Sequence, residues 1–170
     1  VSPLVSIILV TWNSAIHLPR CLGNIARQTF KDFEVVIIDN DSMDGWASVV
    51  GKYPDLDFSI KKLSSNLGFA VANNIGAHLA RGKWIALLNA DAFPEPDWLE
   101  QLLLAAEQNM EYTAFSPRQI QFNASHLLDG MNLPPNVVAK QVSRPEFIRL
   151  MRASRTVIVS IRKGLIRSTG

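Results

Sequence analysis

The first part of the chain repeats one pattern: a short run of aliphatic residues ends on a polar stretch, and a segment of helical spacing follows. Val5 to Val10 is a continuous apolar run that stops at Thr11-Trp12-Asn13-Ser14, as expected for a buried strand entering a loop. Leu18, Leu22, Ile25 and Ala26 recur at helical spacing and predict a helix from about 18 to 28. A second strand is predicted over 34–38, closed by Asp39-Asn40-Asp41-Ser42, and a short helix from 44 to about 52, broken by Tyr53-Pro54-Asp55. A third strand is expected over 58–63. A helix over 69–81 should follow, with Ala72, Ile75, Gly76 and Leu79 on one face and Gly82 as its stop. The fourth strand, 84–88, ends on Asn89-Ala90-Asp91-Ala92, and a helix over 97–108 turns Trp98, Leu99, Leu102 and Leu103 inward.

Strands alternating with helices imply an α/β fold, with a mainly parallel sheet and helices on both faces. Beyond Tyr112 the pattern loosens. Short strands at 113–116 and 119–122, a proline-containing loop at 132–136, a helix at 145–153 and a strand at 156–161 are the expectations there.

In open α/β sheets ligands bind outside the carboxyl ends of the strands, so the residues closing each run carry the functional information. These are Thr11 and Asn13, Asp39 and Asp41, Asn66, and Asn89 and Asp91. A carboxylate at Asp39, after β-branched residues, is costly to bury unless it accepts hydrogen bonds. A nucleobase N–H or a ribose hydroxyl would supply them, and so would a helix start capped by Asp39 or Ser42. Asp91, with Asn89 on the same side of an extended chain, offers oxygen ligands for a hard divalent cation that also binds phosphates; an Asx turn is the competing reading. Neither G-x-G-x-x-G nor the Walker pattern is present, which disfavours dinucleotide and P-loop sites.

Composition adds less. The 170 residues carry 17 Lys and Arg against 15 Asp and Glu, a net charge of +2. The balance is uneven: residues 131–170 are strongly basic, with Glu146 their one acid. The single cysteine, Cys21, lies in an apolar helical pattern and reads as a buried thiol in a reducing compartment. With no bilayer-length apolar run and no secretory signal, the expected location is the cytoplasm. The basic tail offers a peripheral contact with a membrane's cytoplasmic face. Nucleic acid is not an expected partner, because the basic residues lack an interleaved aromatic platform.

The segments VSIILVTWNS (5–14), EVVIIDNDSMDG (34–45), NLGFAVANNIGA (66–77) and GKWIALLNADAFPEPDWL (82–99), in this order, resemble the family 2 glycosyltransferases, in particular their rhamnosyltransferase-like branch. The resemblance is strong from residue 4 to about 104 and fades near 130. It implies a GT-A fold with an incomplete C-terminal part, divided into a nucleotide-sugar-binding domain (1–130) and a basic C-terminal segment (131–170). It further implies that Thr11, Asn13 and Asp39 hold the nucleotide, with Asp41, Gly68 and Asn74 as further substrate contacts. The family's D-x-D motif falls on Asn89-Ala90-Asp91, so that Asp91, as the main catalytic and metal residue, and Asn89 would hold Mg²⁺ or Mn²⁺.

The implied activity is inverting sugar transfer from a nucleotide-diphosphate sugar to a glycan or glycolipid hydroxyl, as in cell-wall or polysaccharide biosynthesis. Two departures stand out. Asn73 takes the place of an arginine in the relatives' A-R-N-x-G pattern, and the downstream Glu-Asp pair that supplies the general base is absent. Asp129 is the weak substitute as base, beside Glu146. The alternative reading is a donor-fold binding or adaptor module without transfer chemistry, working through the basic tail.

Overall fold

A computed structural model of the chain describes residues 2–110 and 114–117, together with the backbone of 137–140 and 160–162. The elements run β1 (Val5–Thr11), α1 (Leu18–Ala26), β2 (Phe33–Asp39), α2 (Ala47–Val50), β3 (Phe58–Lys62), α3 (Phe69–Leu79), β4 (Trp84–Asn89), α4 (Trp98–Gln108), β5 (Ala114–Pro117), β6 (Val137–Lys140) and β7 (Ser160–Arg162). They form one sheet in the order β3-β2-β1-β4-β7-β5-β6. β3, β2, β1 and β4 are mutually parallel, while β7 pairs antiparallel with both β4 and β5, and β6 antiparallel with β5.

The four parallel strands are those read from the apolar runs, and their alternation builds two cores. Ile7, Leu9, Val35, Ile37, Ala86 and Leu88 face α1, α2 and α4. Ile8, Val10, Val36, Ile38, Ile85 and Leu87 face α3. Both sides of β1, β2 and β4 are therefore buried, which is why their runs are continuous rather than alternating.

The chain winds outward from β1 to β2 and β3, then crosses back to place β4 on the other side of β1. The crevice at that reversal, beyond the carboxyl ends of β1 and β4, is where open α/β sheets take ligands.

Gly76 sets the seating of α3. A Cβ there would lie 2.5 Å from Ile8 Cγ2 and 3.2 Å from Ile38 Cγ1, so the helix backbone rests directly on β1 and β2. This contact turns the buried face to Ala72, Asn73, Gly76 and Ala77, with Ile75 half-buried against the same core and Leu79 exposed. Alanine is the better helix former by about 1 kcal/mol, yet Gly76→Ala is expected to destabilise. Overpacking against two β-branched core residues costs about 1–3 kcal/mol. Chemical denaturation of Gly76→Ala and Gly76→Leu checks this, with a lower midpoint for both and the larger loss for leucine.

Gly82 is not the stop of α3, which ends at Leu79 with Ala80 as its C-cap. Its role is a close approach to β1: a Cβ would meet Ser6 N at 2.6 Å and Val5 C at 2.7 Å. α2 is a single turn rather than the longer helix expected. The expected strand at 119–122, loop at 132–136 and helix at 145–153 lie outside the described residues.

Candidate functional site

The parallel register brings the predicted residues together at one end of the sheet. Thr11 pairs with Asp39, and Val10 with Asn89. With neighbouring strands about 4.8 Å apart, Asp39 and Asn89 stand about 10 Å from one another across β1. By the alternation of each strand, Thr11 and Asp39 share the face covered by α1 and α2, while Asn89 falls on the α3 side with Asn73.

Thr11 and Asp39 are both fully buried. Asp39 Oδ1 accepts the Ser42 N–H at 2.9 Å, whereas Asp39 Oδ2 and Thr11 Oγ1 have no hydrogen-bond partner. The local turn thus takes one carboxylate oxygen and leaves the other. Neither Asp39 nor Ser42 caps a helix, since α2 begins after Trp46 with no side-chain cap. Two buried polar atoms without partners on adjacent strand ends are expensive in isolation.

The loops around them are laced together. Asn13, at φ +49°, donates its N–H to Ser42 Oγ at 3.0 Å and accepts the Met43 N–H on Oδ1 at 2.9 Å. Ala15 N–H donates to Asp44 Oδ2 at 2.6 Å. Asp41, half-buried, holds the left-handed region at φ +68°, which Asn and Asp tolerate better than most residues. On the other side, Asn40 Nδ2 donates to Asn66 Oδ1 at 2.8 Å, and Asn40 Oδ1 accepts the Leu67 N–H at 2.9 Å. Asn66 Oδ1 also accepts the Gly68 N–H at 2.9 Å, and Gly68, at φ +82°, opens α3. The β1, β2 and β3 end loops therefore behave as one connected rim.

At β4 the expected extended Asn-x-Asp is instead a turn. The Ala92 N–H donates to the Asn89 carbonyl at 3.0 Å, so Ala90 and Asp91 occupy its middle and Asp91 is exposed. Strand parity consequently does not align Asn89 with Asp91. The Cys21 thiol donates to the same Asn89 carbonyl at 3.7 Å. Burial, and secondarily the charge of Asp91, pushes this thiol up to about 12, so it is a packing group and not a nucleophile.

Among the described residues no group of three or more His, Cys, Asp or Glu is placed to hold a metal. One exposed carboxylate, Asp91, fits an Mg²⁺ or Mn²⁺ ion whose remaining ligands are mostly waters and substrate phosphates, and does not fit an all-protein cage; the Asn89 side-chain oxygen is buried. Asn74 is exposed on α3, while its neighbour Asn73 is buried. Asn73 Nδ2 donates to the Phe69 carbonyl at 2.9 Å, and its Oδ1 lacks a partner. Asp129, Glu146 and the basic tail lie outside the described residues, apart from the backbone of 137–140 and 160–162.

Sequence reasoning passed over Trp12. It is 56% exposed at the end of β1, whereas Trp46, Trp84 and Trp98 are each 6% exposed. An indole left in solvent at a strand end is a ready stacking surface. Its place directly after Thr11 was the available signal.

Comparison with known proteins gives the family and the fold. An uncharacterized glycosyltransferase of Haemophilus influenzae is 33% identical over 114 residues, covering 66% of this chain and 35% of the relative. The validoxylamine A glucosyltransferase of Streptomyces hygroscopicus is 37% identical over 107 residues, covering 61% of this chain and 25% of the relative. The chain thus spans about a third or less of these relatives.

The crystal structure of S. aureus TarS 1–349 superposes with a TM-score of 0.77 at 21% identity, over 96% of this chain and 48% of that one. This shows the GT-A fold. The mannosyltransferase PcManGT from Pyrobaculum calidifontis, solved with GDP-Man and Mn²⁺, superposes with a TM-score of 0.58 at 28% identity, over 67% of this chain and 35% of that one. The sequence pattern of glycosyl transferase family 2 matches residues 6–158, and the chain belongs to that family.

Proposed function

We propose that this sheet end binds a nucleotide-diphosphate sugar together with Mg²⁺ or Mn²⁺, for inverting transfer of the sugar to a glycan or glycolipid hydroxyl. The observation that carries this reading is the pair of buried, unpartnered atoms, Asp39 Oδ2 and Thr11 Oγ1, on adjacent strand ends. They hold the nucleoside, with the Trp12 indole against its base. Asn13, Asp41 and Gly68 shape the rim, and Asn74 contributes an exposed amide on α3.

Across β1, Asp91 and Asn89 would hold the ion. When bound, it neutralises charge developing on the diphosphate leaving group. The acceptor hydroxyl must lose a proton as it attacks, and the candidate base for that step is Asp129. The 1–130 and 131–170 division is retained as part of this proposal. Support also comes from relatives: TarS has been solved with UDP and with UDP-GlcNAc, and PcManGT with GDP-Man and Mn²⁺. Among the described residues no helix is long and apolar enough to cross a membrane, and cytoplasmic placement is proposed on the same footing.

The test is thermal unfolding with UDP, dTDP and GDP, each with and without Mn²⁺, alongside acrylamide quenching of tryptophan fluorescence. At least one nucleotide should raise the Tm in an Mn²⁺-dependent manner and protect the quencher-accessible emission of Trp12. No shift with any of the three, at millimolar nucleotide, would overturn the reading.

A further inference from the structure

The loop that carries Asp91 is held from outside itself. Residues 90–97 lie between β4 and α4, and two of them, Pro94 and Pro96, have no N–H to donate. What this loop offers is carbonyls, and α1 with the residues just after it takes them in order. Cys21 Sγ donates to the Asn89 carbonyl at 3.7 Å, and Asn24 Nδ2, one turn later, to that of Pro94 at 3.0 Å. Gln28 Nε2 donates to the Glu95 carbonyl at 2.6 Å and the Thr29 N–H to that of Pro96 at 2.7 Å. Between these bonds the Arg20 guanidinium lies over the Phe93 ring, 4.4 Å from its centroid.

Gln28 is the centre of this arrangement. It follows Arg27, the C-cap of α1, and is fully buried. Its Nε2 also donates to the Asn24 carbonyl at 3.2 Å, and its Oε1 accepts the Leu99 N–H at 3.1 Å. That last bond satisfies a first-turn donor of α4, whose own N-cap, Asp97, makes no side-chain cap bond. One amide thus joins the end of α1, the proline loop and the start of α4. Leucine would fill the space with no polar group to satisfy; what a fully bonded amide adds is a fixed position for everything it touches.

We infer that Gln28, assisted by Asn24, is a positioning residue for the ion: it holds the Asp91 carboxylate where Mn²⁺ or Mg²⁺ and the diphosphate meet. The inference rests on the donor-site reading above. Asp91 is exposed and lies between the Asn89 and Pro94 carbonyls, both gripped from α1. Loosening the loop keeps the carboxylate but spreads its positions, and the ion must then order it on binding. Groups that orient a metal ligand without touching the metal contribute about 10–100-fold to affinity. The nucleoside contacts stand elsewhere, on β1 and β2, whose end loops bond one another through Asn13 and Ser42.

The experiment titrates Mn²⁺ into the whole chain with UDP, dTDP and GDP in turn, reading protein-bound Mn²⁺ by water-proton relaxation. Tm and nucleotide affinity in EDTA are recorded alongside. Gln28→Met and Asn24→Ala are compared with the parent. Glu34→Gln is the control, because Glu34 is buried at the other end of β2, bonded to Ser6 and Arg81; it should lower Tm and leave Mn²⁺ affinity unchanged. Gln28→Met should weaken Mn²⁺ by about tenfold or more, with no change in EDTA. Asn24→Ala, half-buried and making one bond to the loop, should shift Mn²⁺ affinity the same way by less. A lower Tm with Mn²⁺ affinity equal to the parent's would reduce Gln28 to a stability role and overturn the inference. If Gln28→Met fails to fold, Asn24→Ala decides it by the same criterion. Weakening confined to nucleotide binding in EDTA would overturn it as well. A parent chain that binds no Mn²⁺ with any of the three nucleotides would instead remove the ion from the donor-site reading, and this inference with it.

Discussion

Glu34→Ala should lower the stability of the folded chain by about 3 kcal/mol, the cost of leaving buried donors without their acceptor. Glu34 stands at the amino-terminal end of the sheet, opposite the candidate site, and is 1% exposed. Its Oε1 accepts from the Ser6 hydroxyl at 2.5 Å and the Arg81 N–H at 2.7 Å, and its Oε2 from Arg81 Nε at 2.7 Å. Ser6 Oγ in turn accepts the Gly82 N–H at 2.8 Å, where Gly82 lies against the β1 backbone. One carboxylate therefore ties the starts of β1, β2 and β4.

The Arg81 guanidinium, whose side chain is half exposed and also bonds Asp57, recovers solvation once released, so the ion pair itself contributes little. The loss falls on the Ser6 hydroxyl and the Arg81 N–H. For a chain of this size about 3 kcal/mol corresponds to a Tm lower by roughly 6–12 °C. Glu34→Gln, which keeps an acceptor but sets an NH₂ against the guanidinium, should lose less.

Acid should erase this difference. Burial works to raise the Glu34 carboxyl, but the Ser6 hydroxyl and the Arg81 N–H and guanidinium outweigh it and hold the group below its ordinary 4.5. A carboxyl lowered in the folded state stabilises fully above its unfolded value and loses that contribution as pH falls through the folded value. The gap between the parent chain and Glu34→Gln should accordingly be constant at neutral pH and shrink below about 4.5. Urea titrations across that range measure it. A gap that persists at pH 3 would place the stabilisation in packing rather than charge.

How much of this is legible in the sequence follows the range of the interactions. β1, β2 and β4 are readable because both faces are buried, so that Ile7 and Ile8, or Leu87 and Leu88, stand together without polar interruption. The polar residues closing them are readable for the same reason: Thr11 and Asp39 end up paired because their strands are in register.

What escapes depends on approach distances and long-range pairing. Gly82 looks like a helix stop, and only the contact with Ser6 and Val5 reveals its role. The face of α3 is turned by Gly76 against Ile8 and Ile38, which no periodicity encodes. β6 carries two valines in a four-residue stretch and exists through its antiparallel pairing with β5. At the site, the Asn89-x-Asp91 spacing suggested an extended pair and is a turn. The commitment of Asp39 Oδ1 to Ser42 is a local turn whose meaning appears only once the other oxygen is seen to have no partner.

Asp91→Ala should separate the ion from the nucleotide. Asp91 is exposed within a turn whose closing bond, Ala92 N–H to the Asn89 carbonyl, is made by backbone, so the variant should fold with a Tm within about 2 °C of the parent, as surface substitutions do. The parent chain, given Mn²⁺ and a nucleotide at about a hundred times its Kd, gains about 2.7 kcal/mol. If the carboxylate is the ion's one charged protein ligand, its removal should weaken Mn²⁺-dependent nucleotide binding by about a hundredfold, leaving about 0.4 kcal/mol at the same concentration.

Binding measured in EDTA should be the same in both chains, because the Thr11 and Asp39 contacts on the far side of β1 are untouched. Asp91→Asn, which keeps an oxygen and loses the charge, should fall between the two, since the ion's attraction to the carboxylate is mainly electrostatic. An Mn²⁺-dependent shift in Asp91→Ala equal to the parent's would move the ion away from the end of β4.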